Sequence, residues 1–263
     1  MRPREAEPRL AFERRTALLV GHLTAREFRI RYQSAILGWV WAIAPTMARV
    51  LVLGVLFSSL LPNQSEVYVA ELAVGLLGWS WFSSGVSNAT RSAVDRRDLL
   101  AQPGVPRQVV PVVSVLTDAF DYLAALPLLL VIVYIDAGGV SVEALLFPFF
   151  LALQGALVLG VGMAASVADV RFRDARLAVD LVLALGFYAT PVFYTREALP
   201  ADLRYLLDWN PMAHLLEAQR DVLIYGTVPS AISLGLLTVV CLAVLTAGWH
   251  LHRRKAATFL DWL

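Results

Sequence analysis

The chain has 263 residues, of which 58% are hydrophobic and only 16% are charged, and its formal net charge is +1 at neutral pH. Soluble domains carry about 25% charged residues, so this composition excludes an ordinary soluble domain and points to a polytopic membrane protein. The low net charge excludes a general polyanion-binding protein, and we expect no nucleic-acid partner. The single cysteine, Cys241, excludes an intramolecular disulfide and a cysteine-based zinc site.

The N-terminal segment is basic and leads without a break into a tryptophan-rich apolar run, in the stretch REFRIRYQSAILGWVWAIAP at 26–45. Over thirty polar or mixed residues precede that run, which is not the pattern of a cleavable signal peptide. Placed on a helix, four apolar residues share one narrow face: Phe12, Leu19, Leu23 and Ile30. We predict an amphipathic helix in the membrane interface with arginines among the lipid phosphates. The alternative is a positive-inside leader without a mechanical role.

Six stretches are apolar enough, and most are long enough, to cross a bilayer, which takes about 20 residues. They are residues 38–61, 67–90, 109–135, 144–167, 177–195 and 231–251. The second is the most polar, and the fifth is short and interrupted by Pro191. Because no internal repeat or low-complexity linker is visible, we predict one all-α membrane domain over residues 1–263. It would comprise a cytoplasmic interfacial segment 1–37, a six-span region 38–251 and a cytoplasmic tail 252–263.

The distribution of basic residues predicts the orientation of these spans. Eighteen lysines and arginines precede the first span or lie between spans two and three, between spans four and five, or in the tail. Three lie on the other side, all in the last connection. Basic residues accumulate on the cytoplasmic side, so both termini are predicted to be cytoplasmic.

The last outward connection, residues 192–230, mixes aromatic, leucine and charged residues. Pro200, Pro211 and Gly226 divide it into pieces too short to cross the membrane. We predict two short amphipathic, re-entrant-like helices at the outer surface. The alternative is a plain extracellular loop.

Several charged residues lie inside predicted spans, where charges normally pair or face water. Arg49 is in the first span, and Asp118 and Asp121 are in the third, at nearly the same depth when each residue advances the helix by about 1.5 Å. We predict that Arg49 pairs with Asp121, with Asp118 as the second choice. A conduit lining or a proton relay is the alternative.

Five aromatic residues lie in the second and fifth spans, away from the interfacial belts: Trp79, Trp81, Phe82, Phe187 and Tyr188. All of them except Trp81 are candidates for lining a conduit. Aromatic faces stack on sugar rings, so one interpretation is the lining of a glycan conduit. The other interpretation is ordinary packing or lipid contact.

Two small-residue motifs in the fourth span have a simpler interpretation. Gly160-x-x-x-Ala164 and Gly162-x-x-x-Ser166 allow helix backbones to approach closely. We therefore predict close helix packing at these positions and no other role.

No hydrolase or metal-binding constellation is visible in the sequence, so we expect neither catalytic residues nor a metal site. A phosphate-binding loop requires G-x-x-x-x-G-K-[ST], and the only lysine, Lys255, follows two arginines. We expect this chain to bind no cofactor. If the protein works with ATP, another chain hydrolyses it.

Four motifs in order carry a resemblance to a known family. RIRYQSAILGWVWAIAPT, VADVRFRDAR, YATPVFY and LDWNP resemble segments of the permease subunits of polysaccharide-type ABC exporters. That family exports lipid-linked polysaccharides such as O antigen, teichoic acid or cell-wall galactan. The resemblance implies a multi-pass protein of the bacterial inner membrane, a homodimer, and two docked ATPase subunits that use ATP and Mg.

By position, the resemblance implies that the interfacial helix and the 91–108 segment meet the ATPases, and that the fifth spans border a central conduit. SAVDRRDLLAQ can form a short helix with leucines on one side, stopped by the Pro-Gly-x-Pro that follows. The coupling candidates are therefore Arg91, Arg96, Arg97, Leu99, Leu100 and Arg107. The alternative is a loop whose arginines only maintain topology.

Two other functions remain open at this point. One is an ABC exporter of a small lipophile or antibiotic, which can share this topology. The other is a membrane-embedded lipid-glycan transferase, which needs an acidic or metal-binding motif in a cytoplasmic loop. The candidate acids sit among arginines and fit salt bridges better: Asp95, Asp98, Asp169 and Asp174. The identity of an exported glycan cannot be deduced from this sequence.

Overall fold

The computed structural model describes residues 6–32, 40–60, 66–102, 104–172, 174–256 and Phe259. All regular elements in these ranges are helical, which confirms the predicted all-α class. In chain order they are α1 Ala6–Tyr32, α2 Val40–Leu60, α3 Tyr68–Asp95, α4 Arg97–Leu100, α5 Val109–Asp136, α6 Phe147–Arg171, α7 Ala175–Ala189, α8 Tyr205–Asp208, α9 Pro211–Arg220 and α10 Ala231–Lys255. Short 3-10 turns at Val142–Leu146, Arg196–Ala198 and Ala201–Leu203 and a π turn at Asp221–Tyr225 complete the elements.

Three of the described helical stretches are long and apolar enough to cross a membrane: Val109–Asp136, Val142–Arg171 and Ala231–Lys255. They correspond to the third, fourth and sixth predicted spans. α2 and α3 match the first two in position, but the apolar part of α2 is shorter, at Ala44–Leu56, and α3 carries more polar side chains. α7 has only 15 residues, about 22 Å of helix, and ends before Pro191. The six-span topology therefore remains a prediction.

α3 lies at the centre of the helix bundle, where small residues allow its neighbours to approach. It packs between α5 and α6 and is buried over most of its length. A Cβ atom placed on Gly162 of α6 would lie 2.6 Å from the Cβ of Ala89 on α3. On the other side of α6, a Cβ on Gly160 would lie 2.6 Å from the carbonyl oxygen of Val244 on α10. The predicted close packing at Gly160 and Gly162 is therefore present, and it leaves no room for side chains.

The connection between α7 and α10 contains short helices, as the sequence predicted. Asn210 caps α9, since its side-chain oxygen accepts hydrogen bonds from the backbone N–H groups of Met212 at 3.0 Å and Ala213 at 3.3 Å. Pro211 occupies the first turn, where its missing N–H costs nothing. Gly226 has φ +61°, a left-handed conformation that glycine tolerates, and it ends the π turn. Their predicted re-entrant-like position relative to the membrane stays a prediction.

Arg220 joins this connection to α3. Its side chain is buried and donates hydrogen bonds to the carbonyl oxygens of Glu71 at 3.1 Å and Val192 at 2.8 Å. The hydroxyl of Tyr68 donates to the carbonyl oxygen of Phe193 at 3.1 Å. The chain immediately after α7 is thereby fixed against the N-terminal end of α3, where a broken helix would otherwise leave carbonyl groups unbonded.

Candidate conduit and coupling contacts

The predicted conduit aromatics form one cluster between α3 and α7. The ring centroids of Trp79 and Phe82 are 5.3 Å apart, and those of Trp79 and Phe187 are 6.2 Å apart. Tyr188 makes an edge contact with Phe187 at 5.2 Å and is 67% exposed. Gly186 allows this approach, because a Cβ there would lie 3.0 Å from the indole of Trp79. The four residues therefore lie in one cluster, with Tyr188 at its exposed side.

Three of these aromatic residues line one end of a groove between α2, α3 and α7, which we call the aromatic–serine groove. Its volume is about 570 Å³. Its aromatic end comprises Trp79, Phe187 and Tyr188, and its polar side comprises Arg49, Ser83, Ser84, Ser87, Asn88, Arg91 and Asp180. On the other side of Phe187 and Tyr188 is an apolar cavity of about 520 Å³, lined by Ala48, Arg49, Val52, Leu53, Phe187, Tyr188 and Phe193.

The polar side of the groove is held by hydrogen bonds between α3 and α7. Ser87 donates to Asp180 at 2.6 Å, and the guanidinium of Arg91 donates to the Ser87 hydroxyl at 2.5 Å. Arg91 also lies 4.0 Å from Asp180. The polarity of the second span is visible in the sequence, but Ser83, Ser87 and Asp180 were not predicted to belong to a site. The spacing of Ser83 and Ser87 could have placed both on one helix face, since residues three to four apart share a face.

The predicted intramembrane pair of Arg49 with Asp121 or Asp118 is wrong. Arg31 of α1 takes that place, with its Nη1 atom 3.1 Å from Asp118 Oδ1 and in hydrogen-bond contact with Asp121 Oδ2. α1 packs along α5 and brings Arg31 to these carboxylates, whereas α2 presents Arg49 to α7 and the groove. Asn88 donates to both oxygens of Asp118, at 3.1 Å and 2.9 Å.

Two further contacts hold α1 against the bundle. The rings of Phe28 and Phe120 lie 5.9 Å apart, and Glu27 forms a 2.5 Å ion pair with Arg96. Burial would lower the pKa of Arg31, but the carboxylates of Asp118 and Asp121 more than offset this and raise it above its ordinary value. The guanidinium therefore stays charged.

The apolar face predicted for this helix differs from the face that contacts the protein. The protein-facing side runs through Thr24, Phe28 and Arg31, while Ile30 is exposed. Leu19 and Leu23 are half-buried, and the side chain of Phe12 lies outside the described residues. The helix itself is confirmed, and its position in the membrane interface stays a prediction.

Sequence comparisons identify the family. Residues 19–224, most of the chain, match the family described as ABC-2 type transporter. The chain belongs to the ABC-2 type transporter family. This confirms the ABC exporter permease expected from the sequence motifs, and makes it a membrane transporter protein of a family that works with ATPase partners.

Relatives of this ABC-2 transporter chain carry names of O-antigen export and polysialic acid transport proteins. It is 29% identical over 241 residues to the O-antigen export system permease protein RfbA of Myxococcus xanthus, covering 91% of this chain and 93% of the relative. It is 26% identical over 206 residues to a protein of the same name from Klebsiella pneumoniae, covering 78% and 80%. The polysialic acid transport protein KpsM of Escherichia coli is 25% identical over 247 residues, covering 90% and 93%.

In this ABC-2 transporter chain, the leucines of the segment predicted to couple to an ATPase pack against their own chain rather than facing outward. Leu100 is 4% exposed and packs with Ala93, Val110, Val167, Val170, Ala256 and Phe259, and Leu99 packs against the same cluster. These leucines fix α4 to its own chain because the helix is short and turns its apolar side inward, so Leu100 is not presented to a partner. Arg97 and Asp98 are the exposed residues of α4.

The other coupling arginines have intramolecular partners or are partly buried. Besides Glu27, Arg96 donates to the carbonyl oxygen of Val110 at 3.1 Å and to Ser114 at 2.7 Å. Arg91 bonds within the groove, and Arg107 is half-buried. An ATPase contact in this segment would therefore involve Arg97 and its exposed neighbours, and the coupling role remains a prediction.

A second polar cavity, of about 360 Å³, lies between the α7–α10 connection of this ABC-2 transporter and α3. It is lined by Glu71, Thr195, Arg196, Glu217, Arg220, Asp221 and Tyr225. Tyr225 donates a hydrogen bond to the buried carboxylate of Glu71, and Arg196 contacts Asp208. Burial raises the pKa of Glu217, while His214 and Arg196 act in the opposite direction. This cavity was not predicted from the sequence. The hydrogen bonds around it connect α3 to the segment between α7 and α10, which is a structural role.

Proposed function

We propose that the chain is the membrane-spanning subunit of an ATP-driven exporter that moves a lipid-linked polysaccharide outward from the cytoplasmic side of a bacterial inner membrane. The aromatic–serine groove is the observation that carries this proposal. Sugar rings have apolar faces that stack on aromatic rings, and hydroxyl groups that exchange hydrogen bonds with serine and carboxylate side chains. The O-antigen export permease and the polysialic acid transport protein among the relatives support the same substrate class.

The groove also distinguishes the rival functions. A small lipophile would fit the adjoining apolar cavity, but it would leave unexplained the hydroxyl, amide and charged groups that line the groove next to the rings. A transferase needs catalytic acids in a cytoplasmic loop, but Asp95, Asp98 and Asp174 are exposed and Asp169 lies near Arg176. The polysaccharide exporter therefore accounts for more of the described residues than either rival.

The proposed assembly contains two copies of this chain and two ATPase subunits, which bind and hydrolyse ATP with Mg. α7 supports the second copy, because none of its residues is buried within the chain. Leu177, Leu181, Leu185 and Tyr188 are exposed at spacings of three or four residues, and they form one apolar face. Two such faces, one from each copy, would border the conduit expected between the fifth spans, with lipid around the remaining surface.

Residues on either end of the bundle test the proposed topology of six spans with both termini cytoplasmic. Gln102 and Asp202 are exposed in the structure. Single cysteines at these positions, in a Cys241→Ala background, are expected to be labelled from opposite sides of the membrane. The measurement is labelling of intact cells with a membrane-impermeant maleimide before and after lysis. Labelling of both positions from outside contradicts the six-span arrangement.

The proposed function is tested by reconstitution with the ATPase subunit in proteoliposomes. Lipid-linked glycan extracted from the source membrane is expected to become accessible on the far side only when ATP is supplied. We expect Phe187→Leu, which keeps an apolar side chain but removes the ring, to reduce this export several-fold, since stacking contributes about 0.5–1.5 kcal/mol per ring pair. Recovery of the complex with the ATPase should not change.

The matched control is Phe149→Leu, a half-exposed phenylalanine on α6 that does not line the groove. It is expected to export at the wild-type rate. An equal loss in both variants would mean that the aromatic ring at 187 has no special role. The exporter proposal itself would be refuted if the glycan reached the far side of the membrane without ATP. It would also be refuted if the wild-type complex moved no glycan when ATP was supplied.

A further inference from the structure

Arg49 carries a charge inside α2 that no described residue neutralises. It is the tenth residue of a 21-residue helix, in the middle of an otherwise apolar run. Its side chain is exposed toward the aromatic–serine groove, and among the described residues it has no ion pair or hydrogen bond. Intramembrane arginines normally pair with an acid or face water. The guanidinium of Arg49 therefore faces the groove without a counter-charge among the described residues.

The groove contains no spare acid for Arg49. Asp180 is its one carboxylate among the lining residues, and it already accepts from Ser87 at 2.6 Å and lies 4.0 Å from Arg91. Two arginines and one aspartate leave an excess of one positive charge. The hydroxyl of Ser84 makes only a long 3.4 Å bond to its own helix, which an incoming acceptor can replace.

Arg49 also stands at the junction of two different spaces. On one side is the polar groove, and on the other is the apolar cavity lined by Val52, Leu53 and Phe193. Arg49, Phe187 and Tyr188 line both spaces. An amphiphile whose charged group lies between a sugar part and a hydrocarbon part would place each portion in a matching environment.

We propose that Arg49 and Arg91 form a site for the phosphate or pyrophosphate ester that joins the exported glycan to its lipid carrier. The guanidinium fork binds phosphate oxygens through paired hydrogen bonds, and the phosphate supplies the missing negative charge. The glycan lies along the polar groove, and the hydrocarbon chain occupies the apolar cavity. This proposal rests on the proposed function and adds to it the group that the groove recognises.

The test uses the full chain purified with its ATPase subunit in phosphatidylcholine nanodiscs, without ATP. Farnesyl diphosphate is the probe, and its dissociation constant is measured by isothermal titration calorimetry. Farnesol, which lacks the phosphates, is expected to give no more heat than it gives on partitioning into empty nanodiscs. We expect Arg49→Gln and Arg91→Gln each to weaken binding of the probe about tenfold or more, as for loss of a charged hydrogen bond. Arg49→Lys, which keeps the charge, should lose less.

Arg254→Gln is the matched control, because Arg254 is exposed at the end of α10 and does not line the groove. It should bind the probe as the wild type does. Wild-type binding by Arg49→Gln, or an equal loss in Arg254→Gln, overturns the proposed site. Abolition of probe binding by phosphatidylglycerol in the nanodisc overturns the lipid-carrier assignment, because the site would then bind bulk phospholipid.

Glycan export by the same variants separates this proposal from the proposed function. Wild-type export together with undiminished probe binding by Arg49→Gln would refute the phosphate site and leave the exporter in place. Failure of the wild type to export glycan would refute the exporter, whatever the probe measurements give. Unchanged melting temperatures are expected for Arg49→Gln, since the substitution strands no carboxylate.

Discussion

Arg31→Leu is expected to lower the free energy of unfolding by about 3 kcal/mol, because it leaves two carboxylates without their counter-charge. Asp118 is almost fully buried, and both it and Asp121 contact the Arg31 guanidinium. Removing one partner of a buried ion pair costs about 3–5 kcal/mol of unfolding free energy. We use the lower end of this range because the Arg31 side chain is 39% exposed. Thermal unfolding of the purified protein in detergent, with its yield by size-exclusion chromatography, measures the loss.

Arg26→Leu is the matched control on the same helix, because Arg26 is exposed and forms no ion pair or hydrogen bond with a described residue. Its melting temperature should stay near that of the wild type. Adding Asp121→Asn to Arg31→Leu should recover part of the lost stability, since one stranded charge is removed. A double variant as unstable as the two single losses combined would show that the ion pair is not the cause.

Gly248→Ala is expected to destabilise the protein by about 3 kcal/mol or to prevent its assembly. A Cβ at Gly248 of α10 would lie 2.0 Å from the carbonyl oxygen of Gly160 on α6. The obstacle is backbone, which cannot rotate away as a side chain can, so the two helices would have to separate. The melting temperature and the fraction of monodisperse protein measure the effect.

Gly235→Ala, in the same helix, provides the comparison. Nothing lies within 4 Å of a Cβ at this position, and alanine has a higher helix propensity than glycine. This variant should be as stable as the wild type or slightly more stable. If Gly248→Ala matches it, the contact between α6 and α10 does not determine stability.

Features that depend on one helix or one turn were predictable from the sequence. Pro191 fixes the end of α7 because proline removes a donor and constrains the residue before it, and Thr190 is extended in the structure. Asn210-Pro211 predicted a helix boundary, and Asn210 caps α9. Gly160 predicted close packing, since helix backbones can meet only where side chains are small.

Features that depend on how helices are rotated against one another were not predictable. Residue spacing gives the depth of Arg49 along its helix but not the neighbour it faces, and α2 turns it toward α7. Arg31 belongs to the predicted interfacial helix, yet its long side chain reaches the carboxylates of Asp118 and Asp121 on α5. Leu100 has the same polarity whether it contacts a partner or its own chain, and only the fold shows that it packs inward.

The C-terminal end of α7 continues into the turn at Val192, which is buried and held through its carbonyl oxygen by Arg220. Further along the helix, among the described residues, the polar contacts with α3 are those of Asp180 with Ser87 and Arg91. Val179 and Leu183 add apolar contacts with α3 and α6. A wider groove therefore requires these polar, ring and apolar contacts to part, while the turn at Val192 can stay in place. Under the proposed function, α7 is the helix whose movement would change the width of the conduit.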